Sequence, residues 1–154
     1  MYEEFNKKYP LLFRNKNEME PINMFGIECK EGWRSLLDTT FSTLYSKHKH
    51  HARQLDWAKT GNFSSEDKRR EYIEECEANL KQIEEEMPIV AQCKEKFGEL
   101  RLYCDNVGEY AQGVIDLAEA MSAHICENCS AAGSKTTRGW IRVLCAECSS
   151  KQEQ

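Results

Sequence analysis

An α+β fold is what this sequence predicts: a β-hairpin packed on helices, a long helical-hairpin arm, and a C-terminal four-cysteine unit. Three observations predict it. Apolar and polar residues alternate on both sides of Phe97-Gly98, the period of two half-buried strands. Apolar residues recur every three or four positions from Trp33 onward, and again from Ile73, the period of helices. Cys126-x-x-Cys129 and Cys145-x-x-Cys148 stand fifteen residues apart. That is the spacing of a tetrahedral zinc site in a zinc ribbon or treble-clef-like unit. Four thiolates leave Zn²⁺ no open position, so one structural ion, rather than a catalytic one, is expected.

At 154 residues the chain is long enough for one domain with a real core. The expected organisation is a single domain over 1–154, with an arm inserted at 46–87 and a zinc-binding subdomain at 124–150. No apolar run approaches the ~20 residues of a membrane helix. The N-terminus, Met1-Tyr-Glu-Glu-Phe, lacks the apolar core of a secretory signal, so a cytoplasmic protein without membrane association is expected. Cys29, Cys76, Cys93 and Cys104 have no framework spacing and read as small buried hydrophobes. The formal charge of −5 counts against a generic nucleic-acid binder, whose affinity rests on neutralising phosphates.

In order, Tyr2 to Phe13 reads as a short helix stopped by Pro10. Asn15 to Pro21 reads as a loop, and Met24 to Cys29 as a short strand or extended segment. Trp33 opens a helix whose stripe is Leu36, Leu37, Thr40, Phe41, Leu44 and Tyr45, continuing thinly to a stop at Gly61. Ser64 and Asp67 match a capping box for a second helix with a narrow seam through Ile73, Cys76, Leu80, Ile83 and Met87. After Pro88 the hairpin spans 89–105. An even loop, Lys96 to Glu99, pairs Glu95 with Leu100, Cys93 with Leu102 and Ala91 with Cys104. Asn106 and Glu109 match a capping box for a third helix. Val107, Tyr110, Ala111, Val114, Ala118 and Met121 are expected on its buried side, and it runs directly into Cys126. A small hairpin between the cysteine pairs and a terminal helix of about one turn complete the chain.

Three further groups are candidate sites. The hairpin register sets Lys94 opposite Arg101, beside Lys96 and Tyr103. Like charges directly opposed need a carboxylate or a bound anion between them. A partner- or anion-binding face is one reading, and a carboxylate from Glu99 or from the helix after Gly32 is the other. Lys135, Arg138, Trp140 and Arg142 place cations and an aromatic on the second hairpin, a possible nucleic-acid contact. His48, His50 and His51 form a cluster in which His48 and His51 share a helix face. A second metal site or a pH-sensitive patch stands there against an ordinary solvated surface.

Several stretches also match a known pattern in one order: Tyr9-Pro10 with Phe13, Gly26-Ile-Glu-Cys29, Gly32-Trp33, Lys94-Glu-Lys-Phe-Gly98 through Leu100-Arg-Leu-Tyr103, Leu117-Ala-Glu-Ala-Met121, and Cys126/Cys129 followed by Gly139-Trp-Ile-Arg142 and Cys145. In these the chain resembles an uncharacterised family of small zinc-binding proteins encoded by tailed bacteriophages and prophages. Two departures stand out: Lys30-Glu31 where that family typically has Gly-Asp, and Cys148 where its last metal position is often His. The resemblance implies a phage accessory protein in the host bacterial cytoplasm and brings no assigned activity.

No nucleophile–base pair, phosphate-binding glycine loop or open metal site is visible, so no enzyme is expected. The leading expectation is binding of a host or phage macromolecule, a protein foremost, with inhibition of a host defence system as one outcome. The alternatives are a nucleic-acid-binding zinc module and a protein that binds or sequesters a small anionic ligand such as a nucleotide.

Overall fold

The computed structural model describes residues 1–15, 17–136 and 139–151. The architecture is mixed α+β, as expected. Helix α1 (Tyr2–Lys8) leads through a turn to α2 (Pro21–Phe25), which starts on its proline. The segment read as extended from Met24 is therefore helical at its start, because Pro21 presets a first helical turn. Gly26, at φ +67°, ends that turn and releases strand β1 (Ile27–Glu28).

A 3₁₀ turn (Glu31–Trp33) precedes α3 (Arg34–Leu44), and α4 (Ser46–Thr60) continues beyond a break at Tyr45. The break falls where the apolar stripe thins. Tyr45 is buried there, its ring tilted against Tyr9 at 5.6 Å and edge-on to the His48 ring at 4.9 Å. Helix α5 (Glu66–Glu86) returns along α4 as the second half of the arm. Leu55, Ala58 and Cys76 fill the seam between them, and Trp57, Phe63 and Tyr72 cluster at the turn. The cap of α5 is Ser65 rather than Ser64, accepting from the Lys68 N–H at 3.3 Å. With Lys at that third position there is no reciprocal capping box.

Strands β2 (Ile89–Lys96) and β3 (Glu99–Asp105) form the hairpin, and β1 pairs in parallel with β2, giving the order β1-β2-β3. The register Cys93↔Leu102, Lys94↔Arg101 and Glu95↔Leu100 agrees with the alternation. Phe97 and Gly98, at φ 55° and 75°, make a two-residue turn. One pairing differs. A bulge between Val90 and Gln92 leaves Ala91 unpaired and sets Val90 against Cys104. The bulge turns Val90 into the core, where it is fully buried and its N–H reaches the Leu12 carbonyl at 2.8 Å.

Helix α6 (Glu109–Ser122) begins at Gly108, not at Asn106. Asn106 has φ 55°, and its amide instead donates to the Glu85 and Met87 carbonyls at the end of α5. The buried side of α6 is Ala111, Ile115, Ala118 and Ser122, while Tyr110 and Met121 are exposed. The core gathers α1, α3, α6 and the inner face of the sheet around Trp33, Tyr9, Phe5 and Phe41. No helix among the described residues is long and apolar enough to cross a membrane.

Beyond α6 come β4 (Ser134–Lys135), β5 (Val143–Leu144) and α7 (Ala146–Ser150). This C-terminal unit is fastened to the core at Gly32-Trp33. The Gly32 N–H donates to the Glu127 carbonyl at 2.9 Å, Ser130 Oγ donates to the Gly32 carbonyl at 2.7 Å, and Trp33 Nε1 donates to the Ile125 carbonyl at 2.8 Å. A Cβ on Gly32 would stand 2.3 Å from the Cys126 carbonyl oxygen and 2.4 Å from the Glu127 carbonyl carbon. Neither backbone atom has a flexible end with which to yield. Gly32→Ala is therefore expected to cost at least about 2 kcal/mol in chemical denaturation, and to lose the three bonds together. A variant as stable as the parent would show that the two bodies are not held at this point.

Candidate metal centre

The backbone builds the cysteine cluster in two different ways. Cys126 and Cys129 lie on a tight knuckle closed by the Ser130 N–H donating to the Cys126 carbonyl at 3.0 Å, with Ser130 at φ 66°. Cys145 is the N-cap of α7 and Cys148 lies in its first turn, its N–H 3.4 Å from Cys145 Sγ. A knuckle, a hairpin and a helix carrying the second pair make the unit treble-clef-like; a ribbon would repeat the knuckle. The four thiols lie within 4.8 Å of one another. Two separations are 3.6 Å, Cys129 to Cys145, and 3.7 Å, Cys129 to Cys148. Sulfurs at the corners of a tetrahedron 2.3 Å from its centre are about 3.8 Å apart, so the cluster has the size of a tetrathiolate site.

The thiol chemistry agrees with cation binding. Burial works to raise the Cys126 thiol, but hydrogen bonds from the backbone of Cys145, Asn128 and Cys129 bring it down to about 7. Cys148, hydrogen-bonded to the Cys129 and Cys145 side chains, is pushed up to about 12. One thiolate forms readily and later ones meet its charge, an opposition that a divalent cation removes. Among the described residues this is the only cluster of three or more metal-capable side chains.

The histidine cluster does not join it. His48 Nε2 is 3.0 Å from a Glu84 carboxylate oxygen, pinning α4 to α5, and the His50 and His51 rings meet at 5.3 Å. Of the scattered cysteines, Cys76 and Cys93 are buried, whereas Cys29 and Cys104 are half-buried. A bond to Cys29 and burial raise the Cys93 thiol, and burial raises Cys104 to about 12, so both stay protonated.

The face of Lys94, Lys96, Arg101 and Tyr103 is brought together as the register requires, but the structure supplies the anions itself. Arg101 donates to Glu99 at 2.6 Å and to Glu119 at 3.4 Å. Glu119, from α6, is a residue that sequence reasoning missed. Lys94 sits over the Tyr103 ring at 5.7 Å and Lys96 over Phe97 at 5.7 Å. The second set is also consumed in part: Lys135 pairs with Glu99, and Arg142 with the buried Glu127 at 2.5 Å. Lys30 reaches Glu127 at 3.3 Å. Arg138 lies outside the described residues. Trp140 is left uncovered, 76% exposed.

Comparison with protein families, with curated proteins and with solved structures finds no match to this chain.

The Arg101 network has a testable pH signature. Lys135 and then Arg101 hold the Glu99 carboxyl below its usual range. A folded-state pKa below the unfolded one contributes stability that is present at neutral pH and lost as pH falls through the depressed value. Arg101→Ala is expected to cost about 1–2 kcal/mol at neutral pH, since these side chains are only partly exposed. In denaturation curves at a series of pH values, that deficit should shrink on acidification. A deficit independent of pH, or none at all, would show the pairs to be inert.

Proposed function

We propose that this chain is a zinc-stabilised binding protein that docks a protein partner through the touching tips of its two hairpins. One observation carries the reading. Phe97, at the first tip, is 64% exposed, and Trp140 and Ile141, at the second, are 76% and 41% exposed. The tips are in contact: a Cβ on Gly98 would lie 3.2 Å from Ile141 Cγ2 and 3.3 Å from the Arg142 carbonyl carbon. Three large apolar side chains are thus exposed to water on two adjoining hairpins. An exposed cluster of aromatic and branched residues is the composition of an interface centre.

The neutralised cations weigh against the alternatives. A nucleic-acid module would need Lys135 and Arg142 free for phosphates, and both are paired with carboxylates. A nucleotide on the face of Lys94, Lys96 and Arg101 would have to displace Glu99 and Glu119 from Arg101. The phage resemblance supplies the setting: an accessory protein in the host bacterial cytoplasm, with a host or phage protein as partner. Blocking a host defence factor by occupancy is the action such a binder can perform without catalysis.

Zn²⁺ is the ion in this reading, held by Cys126, Cys129, Cys145 and Cys148 as a closed structural site. Native mass spectrometry is expected to find one zinc per chain. Cys126→Ser should abolish it and open residues 124–150 to hydrogen exchange; a chain purified without metal that keeps this protection would end the zinc assignment. For the partner, tagged protein is expected to capture one protein from phage-infected cells. F97A/W140A should weaken that capture by at least about tenfold, while stability changes by less than about 1 kcal/mol, as for exposed sites. Capture unchanged in F97A/W140A, or capture of nucleic acid alone, would overturn the docking surface.

A further inference from the structure

Helix α6 carries two apolar stripes; one faces the core, and of the other only Val114 is half-buried against it. Ala111, Ile115 and Ala118 face inward. Tyr110, Val114, Leu117 and Met121 form a second line, spaced four, three and four, which is the seam spacing of a helix that packs against another helix. Leu117 is 62% exposed, Tyr110 51% and Met121 46%. Val114, Leu117 and Met121 of this ridge form one wall of a groove of about 310 Å³ between α3 and α6, with Leu36, Thr39 and Ile125 among the residues opposite. No charged side chain lines it.

We propose that this face joins two copies of the chain, α6 against α6 in antiparallel orientation about a two-fold axis. A ridge and an adjacent groove on one surface are self-complementary under a two-fold rotation: each ridge enters the other groove. The flanking positions Gly113 and Ala120 are small, and nothing lies within 4 Å of where a Cβ on Gly113 would be, so the helix backbones can approach closely. The charges fit this orientation. Lys47 lies 5.1 Å over the Tyr110 ring at the start of α6. Antiparallel pairing brings that ammonium level with the carbonyl end of the second copy's α6, where a cation is favoured. A parallel pair would set the two Lys47 groups against each other.

The pairing centred between Val114 and Leu117 sets Tyr110 of one chain opposite Met121 of the other, which defines the test. Sedimentation equilibrium of the full chain, in reducing buffer with its metal, is expected to give twice the 17.9 kDa chain mass. L117E, placing a charge on the ridge, should raise the dissociation constant at least about a hundredfold with helicity unchanged. M121E and Y110K, both at exposed positions, should each be monomeric alone and recover a dimer when mixed. Wild-type protein that is monomeric at high micromolar concentration would overturn the proposal. So would a dimer that neither L117E nor M121E weakens, or one recovered by mixing M121E with M121K instead. Capture through Phe97 and Trp140 is read in a separate assay, so failure of either proposal leaves the other standing.

Discussion

The close approach of the Gly32 backbone to the Cys126–Glu127 knuckle is the contact on which the rest depends. Trp33, fully buried at the centre of the core, can give its indole N–H to Ile125 only because its neighbour has no side chain to hold the knuckle away. The thiol cluster and the hydrophobic core are therefore not independent stabilities. An ion held by the cluster would also order the carbonyls that receive Gly32 and Trp33, so that metal binding and core packing would reinforce each other. Small metal-binding units have little core of their own; Val143, Leu144 and Cys126 are the buried apolar residues here. This one borrows the rigidity of a larger body.

Much of this was legible in the residues, and the parts that were not share a physical cause. Strand alternation determined the hairpin register from Cys93 to Lys96, because a one-residue slip would turn Leu100 and Leu102 out to water. The bulge at Ala91 was not legible: Val90 and Ala91 are both apolar, and only the Leu12 carbonyl waiting in the folded chain decides between them. Cysteine spacing located the four-thiol cluster that could hold a metal ion, since ligand geometry is local. The caps failed for two reasons: Ser64 and Ser65 are adjacent and chemically alike, and the Asn106 side chain is drawn away to donate to carbonyls at the end of α5, distant in the chain. For α6 the period was right and the phase ambiguous. A helix with apolar residues around most of its circumference offers two possible inner faces, and the burial of Ile115 rather than Tyr110 is set by α3 and the sheet.

Opposed Lys94 and Arg101 pointed correctly to missing negative charge and could not say where it resides. Glu99 follows from the strand, but Glu119 is eighteen positions beyond Arg101, on a helix whose docking against β3 no local pattern encodes. Charge patterns in sequence thus identify a demand for a counter-ion more reliably than its source. What distinguishes surface from scaffold in this protein is exposure without a partner, a property that Trp140 has and Arg142 lacks.

Glu119 and Ser122 do more than neutralise and pack. The Leu100 N–H donates to Ser122 Oγ at 2.8 Å and the Leu102 N–H to Glu119 at 2.9 Å, so side chains of α6 occupy donors along the outer side of β3. The opposite margin of the sheet, β1, is only two residues long. A sheet finished in this way offers no continuous row of main-chain groups to an incoming strand. Recognition by strand addition, which reads a partner's backbone and tolerates many sequences, has no long free edge to use on this sheet. What this sheet presents at its two margins is side chains on one and a two-residue strand on the other.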